Sequence, residues 1–297
     1  MKIFHPSYYK DFKCIADRCR HSCCVGWEIG VDDNTIKKYA SLPEVEKEEV
    51  LSNIDKDGCV ILTDDERCPF LCDSGLCRLI STYGDEYISH ICREHPRFYH
   101  RVGDRVECGI GASCEEAARI ILSSDGFADF VLLERDVEIA EETDFDTLSH
   151  RDILYSILKT NNYIDATKII AAKYSLPDHF AMVEKWNELL SELEYLDEDH
   201  RLLIKLSGRE ERKSMQEYTK RFLAYLIFRH VSVAKHYDGL RASIGFCLLL
   251  AGIMEGMLCT LPSKLQLASE CARVISEEIE YSEDNTSALI FELECLI

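Results

Sequence analysis

The sequence predicts a mainly α-helical protein, in which a loop-rich cysteine module with short strands is followed by an all-helical domain. Three observations predict it. Eleven of the 15 cysteines lie within the first 114 residues. Gly, Pro and Asp break the chain into short pieces up to about residue 125, whereas apolar residues recur three and four apart from about residue 146 onward. We therefore predict a cysteine-rich module over 1–124, a connector over 125–146 and a helical domain over 147–297.

The first elements of the module are predicted to be short helices. Asp32 or Asp33 can cap a helix that runs through Tyr39. Pro43 suits the first turn of a second helix, which runs to about Ile54, because the missing N–H of proline is not needed there. Only brief elements fit in this part of the chain.

A strand, a hairpin and a capped helix are predicted in the rest of the module. Residues 59–63 have the composition of a short strand. Residues 97–102 and 105–110 flank Gly-Asp, which predicts a hairpin. Ser113 followed by Glu116 forms a capping box, which predicts a helix that begins at this point.

The helical domain shows the apolar spacing of amphipathic helices, for example at Met215, Tyr218 and Phe222. The longest uncharged stretch runs from Ala242 to Met254 before Glu255 interrupts it. A membrane helix needs roughly 20 apolar residues. This stretch therefore predicts a buried helix, and the protein is expected to have no membrane partner.

Cysteine content and charge indicate the compartment and the partners. The first residues lack the apolar segment of a secretory signal, so we expect a cytoplasmic protein whose thiols stay reduced. The net charge of −20 disfavours nucleic-acid binding and favours a basic or lysine-rich partner. The alternative is that the acidic surface only keeps the protein soluble. Four cysteines in apolar helical surroundings are expected to be inert core residues: Cys247, Cys259, Cys271 and Cys295.

The clustered cysteines predict a thiolate metal site. The first cluster reads Cys14-x4-Cys19-x3-Cys23-Cys24, and the second reads Cys68-x3-Cys72-x4-Cys77. Zinc and iron–sulfur clusters both need several thiolates brought together by tight loops. Scattered single ligands and the lack of paired C-x2-C knuckles favour an iron–sulfur cluster, expected to be of the 4Fe-4S type, with zinc as the alternative. The C-x3-C-x2-C motif of radical S-adenosylmethionine enzymes is absent.

The contexts of these cysteines resemble the flagellin lysine-N-methylase family and the broader group of small zinc- or iron-chelating proteins rich in paired cysteines. The resemblance covers roughly residues 6–120, and it is weaker in the helical half, mainly over 218–234. The matching motifs are Tyr8-Tyr9-Lys-Asp-Phe12-Lys-Cys14, Cys19-x3-Cys23-Cys24-x2-Trp27, Cys68-x2-Leu71-x5-Cys77 and Cys92-Arg-x2-Pro96-Arg97.

The resemblance implies methyl transfer from S-adenosylmethionine to lysine side chains of flagellin or a similar protein, with an iron–sulfur cluster as cofactor. Eight cysteines in shared contexts are the candidate metal ligands: Cys14, Cys19, Cys23, Cys24, Cys68, Cys77, Cys92 and Cys114. One four-iron cluster needs only four of them. No motif identifies the methyl-donor site or the catalytic base.

Four further residues are candidates for binding the methyl donor. Arg93 and Arg97 flank Cys92, where they can offset the charge of a thiolate-bound cluster or hold a carboxylate. Gly109 and Gly111 precede a predicted helix and can bring backbone N–H groups to an anion, although a tight turn is the alternative. The competing function is a non-catalytic metal-binding or redox-sensing protein.

Overall fold

A computed structural model of the protein describes residues 2–103, 105–133, 145–207, 215–259, 261–262 and 264–297. Contacts divide the chain into two units. The cysteine unit is Lys13–Arg97, and the helical unit combines Met1–Phe12 with Phe98–Ile297. Each unit has its own apolar core. The predicted class, mainly helical with a cysteine-rich loop region first, is confirmed.

Short helices and tight turns build the cysteine unit. As predicted, the helix Asp33–Ala40 (α1) begins after Asp32, whose carboxylate accepts the N–H of Thr35 at 3.1 Å, and the helix Glu44–Leu51 (α2) begins after Pro43. The predicted strand over 59–63 is wrong, because only isolated bridges form there, at Cys59 and Val60. The helices are α1 (Asp33–Ala40), α2 (Glu44–Leu51), α3 (Arg78–Tyr83) and α4 (His90–Glu94).

The helical unit contains a small sheet. Its strands are β1 (Lys2–Pro6), β2 (Arg97–Val102), β3 (Arg105–Ile110) and β4 (Phe130–Leu133). The order is β2-β3-β1-β4, so the predicted hairpin forms one edge. The strand β1 runs parallel to β3 and antiparallel to β4, with Ile3 opposite both Val106 and Leu133.

Packed helices form the rest of the helical unit. The longest helix, Tyr237–Cys259 (α11), lies in the core against Gln216–His230 (α10) and Glu283–Leu296 (α13). By length and composition α11 could cross a membrane, yet 89% of its most apolar window is buried inside the protein, which confirms the predicted buried helix. The helices are α5 (Glu115–Ser123), α6 (Thr147–Thr160), α7 (Tyr163–Tyr174), α8 (Val183–Glu192), α9 (Glu198–Leu203), α10 (Gln216–His230), α11 (Tyr237–Cys259), α12 (Leu265–Ile275) and α13 (Glu283–Leu296).

A buried ion pair joins the sheet of this unit to its helices. Glu107 on β3 is fully buried and accepts hydrogen bonds from Arg151 on α6, one of them at 2.8 Å. Arg105 adds a second cation at 2.7 Å. The Arg151 guanidinium also lies over the Phe130 and Phe228 rings. A buried carboxylate needs such partners, because an unpaired charge in a core is strongly destabilising.

Some boundaries differ from those expected. The cysteine unit ends at Arg97, whereas the predicted module extends to 124, because β3 and α5 pack with the helical unit. Within the predicted connector the structure has β4, which pairs with β1, and residues 134–144 lie outside the described residues. The cap of α5 is Cys114, not Ser113. Cys295 is exposed, whereas the other three late cysteines are buried as expected.

Candidate metal centre

Backbone pairing brings Cys24 next to Cys68. The N–H of Cys68 donates to the carbonyl oxygen of Cys24 at 2.8 Å, and the N–H of Gly26 donates to the carbonyl oxygen of Glu66 at 2.9 Å. Gly26 has a φ of +75°, a value that glycine adopts without steric cost. The two cysteine clusters of the sequence therefore meet in one antiparallel segment.

A tight hairpin then positions Cys77. Its arms are joined by the hydrogen bond from the N–H of Arg78 to the carbonyl oxygen of Phe70, at 2.7 Å, and by a bridge between Leu71 and Cys77. Cys77 is the cap residue of α3. Its thiol lies at the positive end of that helix, where free N–H groups stabilise a thiolate.

The first turn of α4 carries Cys92. Ser89, which is buried, caps this helix, and its hydroxyl accepts the N–H of Cys92 at 3.4 Å. The Asp32 carboxylate, which already caps α1, also accepts the N–H of His90 at 2.9 Å. One side chain thus fixes the starts of both helices, and the hydrogen bonds hold its pKa at about 2.

Four thiols converge at this place, and we call them the cysteine quartet: Cys24, Cys68, Cys77 and Cys92. Every pair among them interacts electrostatically. Burial and this mutual repulsion raise the pKa of Cys68 to about 12, and the pKa values of Cys77 and Cys92 are also raised, chiefly by desolvation. Thiols that repel one another as anions are a binding site for a cation that neutralises them.

Cys24 differs from the other members of the quartet. The neighbouring Cys23 thiol donates a hydrogen bond to its sulfur and, with help from Ser22 and Arg67, lowers the pKa of Cys24 to about 6. Cys24 therefore gives up its proton more readily than the other three members of the quartet. Cys23 lies against the quartet through this contact, although adjacent side chains on a regular strand would point to opposite faces.

Backbone N–H groups also point at the sulfurs. The N–H of Phe70 donates to Cys68, and the N–H groups of Leu79 and Ile80 donate to Cys77; each of these bonds lowers the pKa of its thiol. Hydrogen bonds to ligand sulfurs orient the ligands and tune the metal. The donor set of the quartet thus fits a thiophilic metal or an iron–sulfur cluster.

The spacing of the quartet is wider than a compact zinc site. Within the described part of the chain, three ligand atoms lie within 4.8 Å of one another only at His200, Glu277 and Glu278. Tetrahedral zinc with Zn–S bonds near 2.3 Å would hold thiolates about 3.8 Å apart. The quartet is therefore more open than a four-thiolate zinc site.

The other predicted ligands lie outside the quartet. Cys14 is exposed, and its sulfur accepts the N–H of Ala16 at 3.4 Å. The Cys19 thiol donates to the carbonyl oxygen of His21 at 3.2 Å. Cys114 belongs to the helical unit, at the start of α5. Metal binding by Cys14, Cys19, Cys23 or Cys114 stays a prediction.

The four predicted donor-binding residues have local partners. Arg93 donates to the carbonyl oxygens of Asp85 and Ile88, and Arg97 donates to that of Arg93. A Cβ at Gly109 would overlap the Phe98 ring, and a Cβ at Gly111 would overlap the Tyr281 hydroxyl. Close side-chain packing thus accounts for both glycines, and binding of the methyl donor by these four residues stays a prediction.

Sequence reasoning missed Tyr39 as part of the site. Tyr39 on α1 is 1% exposed, and its pKa is raised by burial and by the nearby sulfurs of Cys92, Cys77 and Cys68. It supplies an apolar wall to the quartet. The only sequence signal that could have placed Tyr39 in the site was its position on the inward face of a short capped helix, because no cysteine lies near it in the chain.

Three curated relatives are similar to this chain. It is 29% identical over 140 residues to the Lysine-N-methylases of Salmonella choleraesuis and Salmonella typhimurium, an alignment that covers 42% of this chain and 34% of each relative. It is 28% identical over 140 residues to the Flagellar biosynthetic protein FliU of Salmonella muenchen, covering 42% of this chain and 80% of that protein. No family model and no solved structure matches. The resemblance to lysine-N-methylases is confirmed by these alignments.

Proposed function

We propose that the cysteine quartet holds an iron–sulfur cluster of the 4Fe-4S type. The proposal is supported by four converging thiols, by N–H groups directed at two of them, and by a spacing wider than a tetrahedral zinc site requires. Such a cluster supplies one-electron redox chemistry when bound. Zinc is the alternative occupant.

We further propose that the protein is a lysine N-methyltransferase of the cytoplasm that acts on flagellin or a similar lysine-bearing protein. This proposal rests on the similarity to Lysine-N-methylases and to FliU, over an alignment that covers 34% of the methylases. The net charge of −20 also suits a basic substrate and disfavours nucleic acid.

We propose S-adenosylmethionine as the methyl donor. In a polar transfer the lysine ammonium gives its proton to a base, and the neutral amine attacks the sulfonium methyl group. The new C–N bond forms as the C–S bond breaks, which releases S-adenosylhomocysteine. The protein must hold amine, methyl carbon and sulfur in line and exclude water from the amine.

The test uses the full chain purified without oxygen. Iron and sulfide are measured per chain, and the protein is then incubated with methyl-labelled S-adenosylmethionine and unmethylated flagellin. We expect about four irons per chain and label in flagellin lysines. One zinc per chain without iron would contradict the cluster, and unlabelled flagellin with a loaded, folded protein would contradict methyl transfer.

A second function is favoured by one observation, the contact between the adjacent thiols of Cys23 and Cys24. A thiolate whose pKa is about 6 is the form that oxidants attack. A metal-binding redox sensor would use this pair without any methyl donor. Calorimetry separates the two functions, because saturable binding of S-adenosylmethionine is expected only of the methyltransferase.

A further inference from the structure

Three exposed leucines lie within one eight-residue stretch, 196–203, of the helical unit. Leu202 and Leu203, at the end of α9, are 68% and 52% exposed, and Leu196, just before α9, is 59% exposed. Because α9 has six residues and so rises only about 9 Å, one short segment of a partner can reach all three side chains. We call these residues the leucine face.

Buried polar groups hold this segment in place. The fully buried Glu278 carboxylate accepts the N–H of Leu196 at 2.7 Å and of Asp197 at 3.2 Å, and it bonds His200 Nδ1 at 2.6 Å. The bond to His200 accounts for the closeness of Glu278 and His200, and the neighbouring Glu277 is paired with Arg273. A buried carboxylate is thus used to fix an apolar surface segment.

Further hydrogen bonds fix the same segment from both sides. The buried Asn285 side chain both accepts from the N–H and donates to the carbonyl oxygen of Glu194, at 3.1 and 2.6 Å. Arg201 donates to the carbonyl oxygens of Ser191 and Leu193 at 2.6 and 2.9 Å. A rigidly held apolar surface loses little conformational entropy on binding a partner.

The leucine face has an acidic rim. Arg201 is the only arginine or lysine within 192–203, and Glu198 is paired with it at 2.7 Å. Lys205, which is exposed, follows two residues later. The exposed acidic residues of the rim are Glu192, Glu194, Asp197, Glu198 and Asp199. An apolar patch with such a rim matches a partner that carries leucine-like and lysine side chains together.

We propose that the leucine face docks a basic, amphipathic segment of the protein substrate. This inference rests on the proposed function, since its occupant is the lysine-bearing substrate of the proposed methyl transfer. A second copy of this chain fits poorly, because a two-fold interface would bring the two acidic rims against each other.

Fluorescence anisotropy of a labelled synthetic peptide, with leucines on one helical face and lysines on the other, tests the proposal without S-adenosylmethionine. Leu202→Ser/Leu203→Ser is expected to weaken binding at least about tenfold, because two apolar side chains lose their contact. Glu194→Gln/Asp199→Asn is expected to weaken binding mainly at low salt. A peptide with glutamate in place of lysine should not bind.

Phe291→Ser is the matched control, because Phe291 is 66% exposed on α13 of the same unit and does not belong to the leucine face. Urea unfolding checks that each variant keeps its fold. The proposal would be overturned if the leucine variant bound the peptide as tightly as the wild type, or if Phe291→Ser weakened binding equally. It would also be overturned if the wild type were a dimer that the leucine substitutions dissociate. If flagellin is methylated but does not bind at the leucine face, only the docking proposal is contradicted. If the peptide binds at the leucine face but flagellin is not methylated, only the methyltransferase proposal is contradicted.

Discussion

The backbone N–H of Cys68 donates a 2.8 Å hydrogen bond to the carbonyl oxygen of Cys24. These two residues belong to different cysteine clusters of the sequence, and this bond makes them neighbours. With Cys77 at the cap of α3 and Cys92 in the first turn of α4, two loops and two helix starts supply one thiol each. The centre therefore depends on the fold of the whole cysteine unit.

Serine substitutions should separate the quartet from the other cysteines. Cys68→Ser, or the same change at Cys24, Cys77 or Cys92, is expected to reduce bound metal to less than about a tenth, because a four-thiolate site loses a ligand. Cys59→Ser is the control: the Cys59 thiol lies in the same unit but donates to the Glu28 carboxylate at 3.5 Å. Bound metal per chain is measured in each purified variant. Equal metal in Cys68→Ser and Cys59→Ser would rule out the quartet as the metal site.

Metal binding should strengthen steeply as the pH rises. The pKa of Cys68 is about 12 and those of Cys77 and Cys92 are raised, so these three thiols hold protons at neutral pH that a metal must displace. The pKa of Cys24 is instead lowered by its contact with Cys23. Acid therefore opposes binding. We expect the affinity of metal-free protein for Zn²⁺, measured by chelator competition, to rise by more than about tenfold per pH unit near neutrality. A slope of one proton or fewer would be inconsistent with four thiolate ligands, and Cys59→Ser should keep the wild-type slope.

The Arg151–Glu107 pair should be essential for the helical unit. Arg151→Met leaves the Glu107 carboxylate with less compensation in the core, which is expected to cost about 3–5 kcal/mol of unfolding free energy. Glu107→Leu/Arg151→Met should recover part of that loss, since no charge is then left buried. Urea denaturation measures both variants.

Arg119→Met is the control for this experiment, because Arg119 pairs with Glu116 at a half-exposed surface position and should cost at most about 1 kcal/mol. If Arg151→Met were no more destabilising than Arg119→Met, the Arg151–Glu107 pair would not be essential for the stability of the helical unit.

Gly111 should tolerate no side chain. A Cβ there would overlap the Tyr281 hydroxyl and approach Arg229 Nη1 to 2.9 Å, so Gly111→Ala is expected to destabilise the protein by about 1–3 kcal/mol. Tyr281→Phe in the same chain should relieve part of this cost. Gly30→Ala is the matched change, because a Cβ at Gly30 meets no atom within 4 Å. Thermal unfolding that ranks Gly30→Ala as the more harmful change would contradict the packing seen at Gly111.

Local sequence signals predicted much of the secondary structure. The Asp32 cap, Pro43 before α2, the β2–β3 hairpin and the apolar α11 each depend on residues within a few positions of one another, and each is present. The strand predicted over 59–63 failed because a strand needs a partner, and the chain offers only isolated bridges there. The strands β1 and β4 were missed for the converse reason, since they are defined by pairing with each other.

The sequence by itself determined that thiols are concentrated before residue 115, that the chain is similar to lysine-N-methylases, and that a long apolar helix is buried. Only the tertiary structure decided that Cys24, Cys68, Cys77 and Cys92 share one place while Cys114 lies in the other unit. The physical reason is that ligand spacing along a chain limits which thiols can meet, whereas backbone hydrogen bonds between distant segments select which of them do.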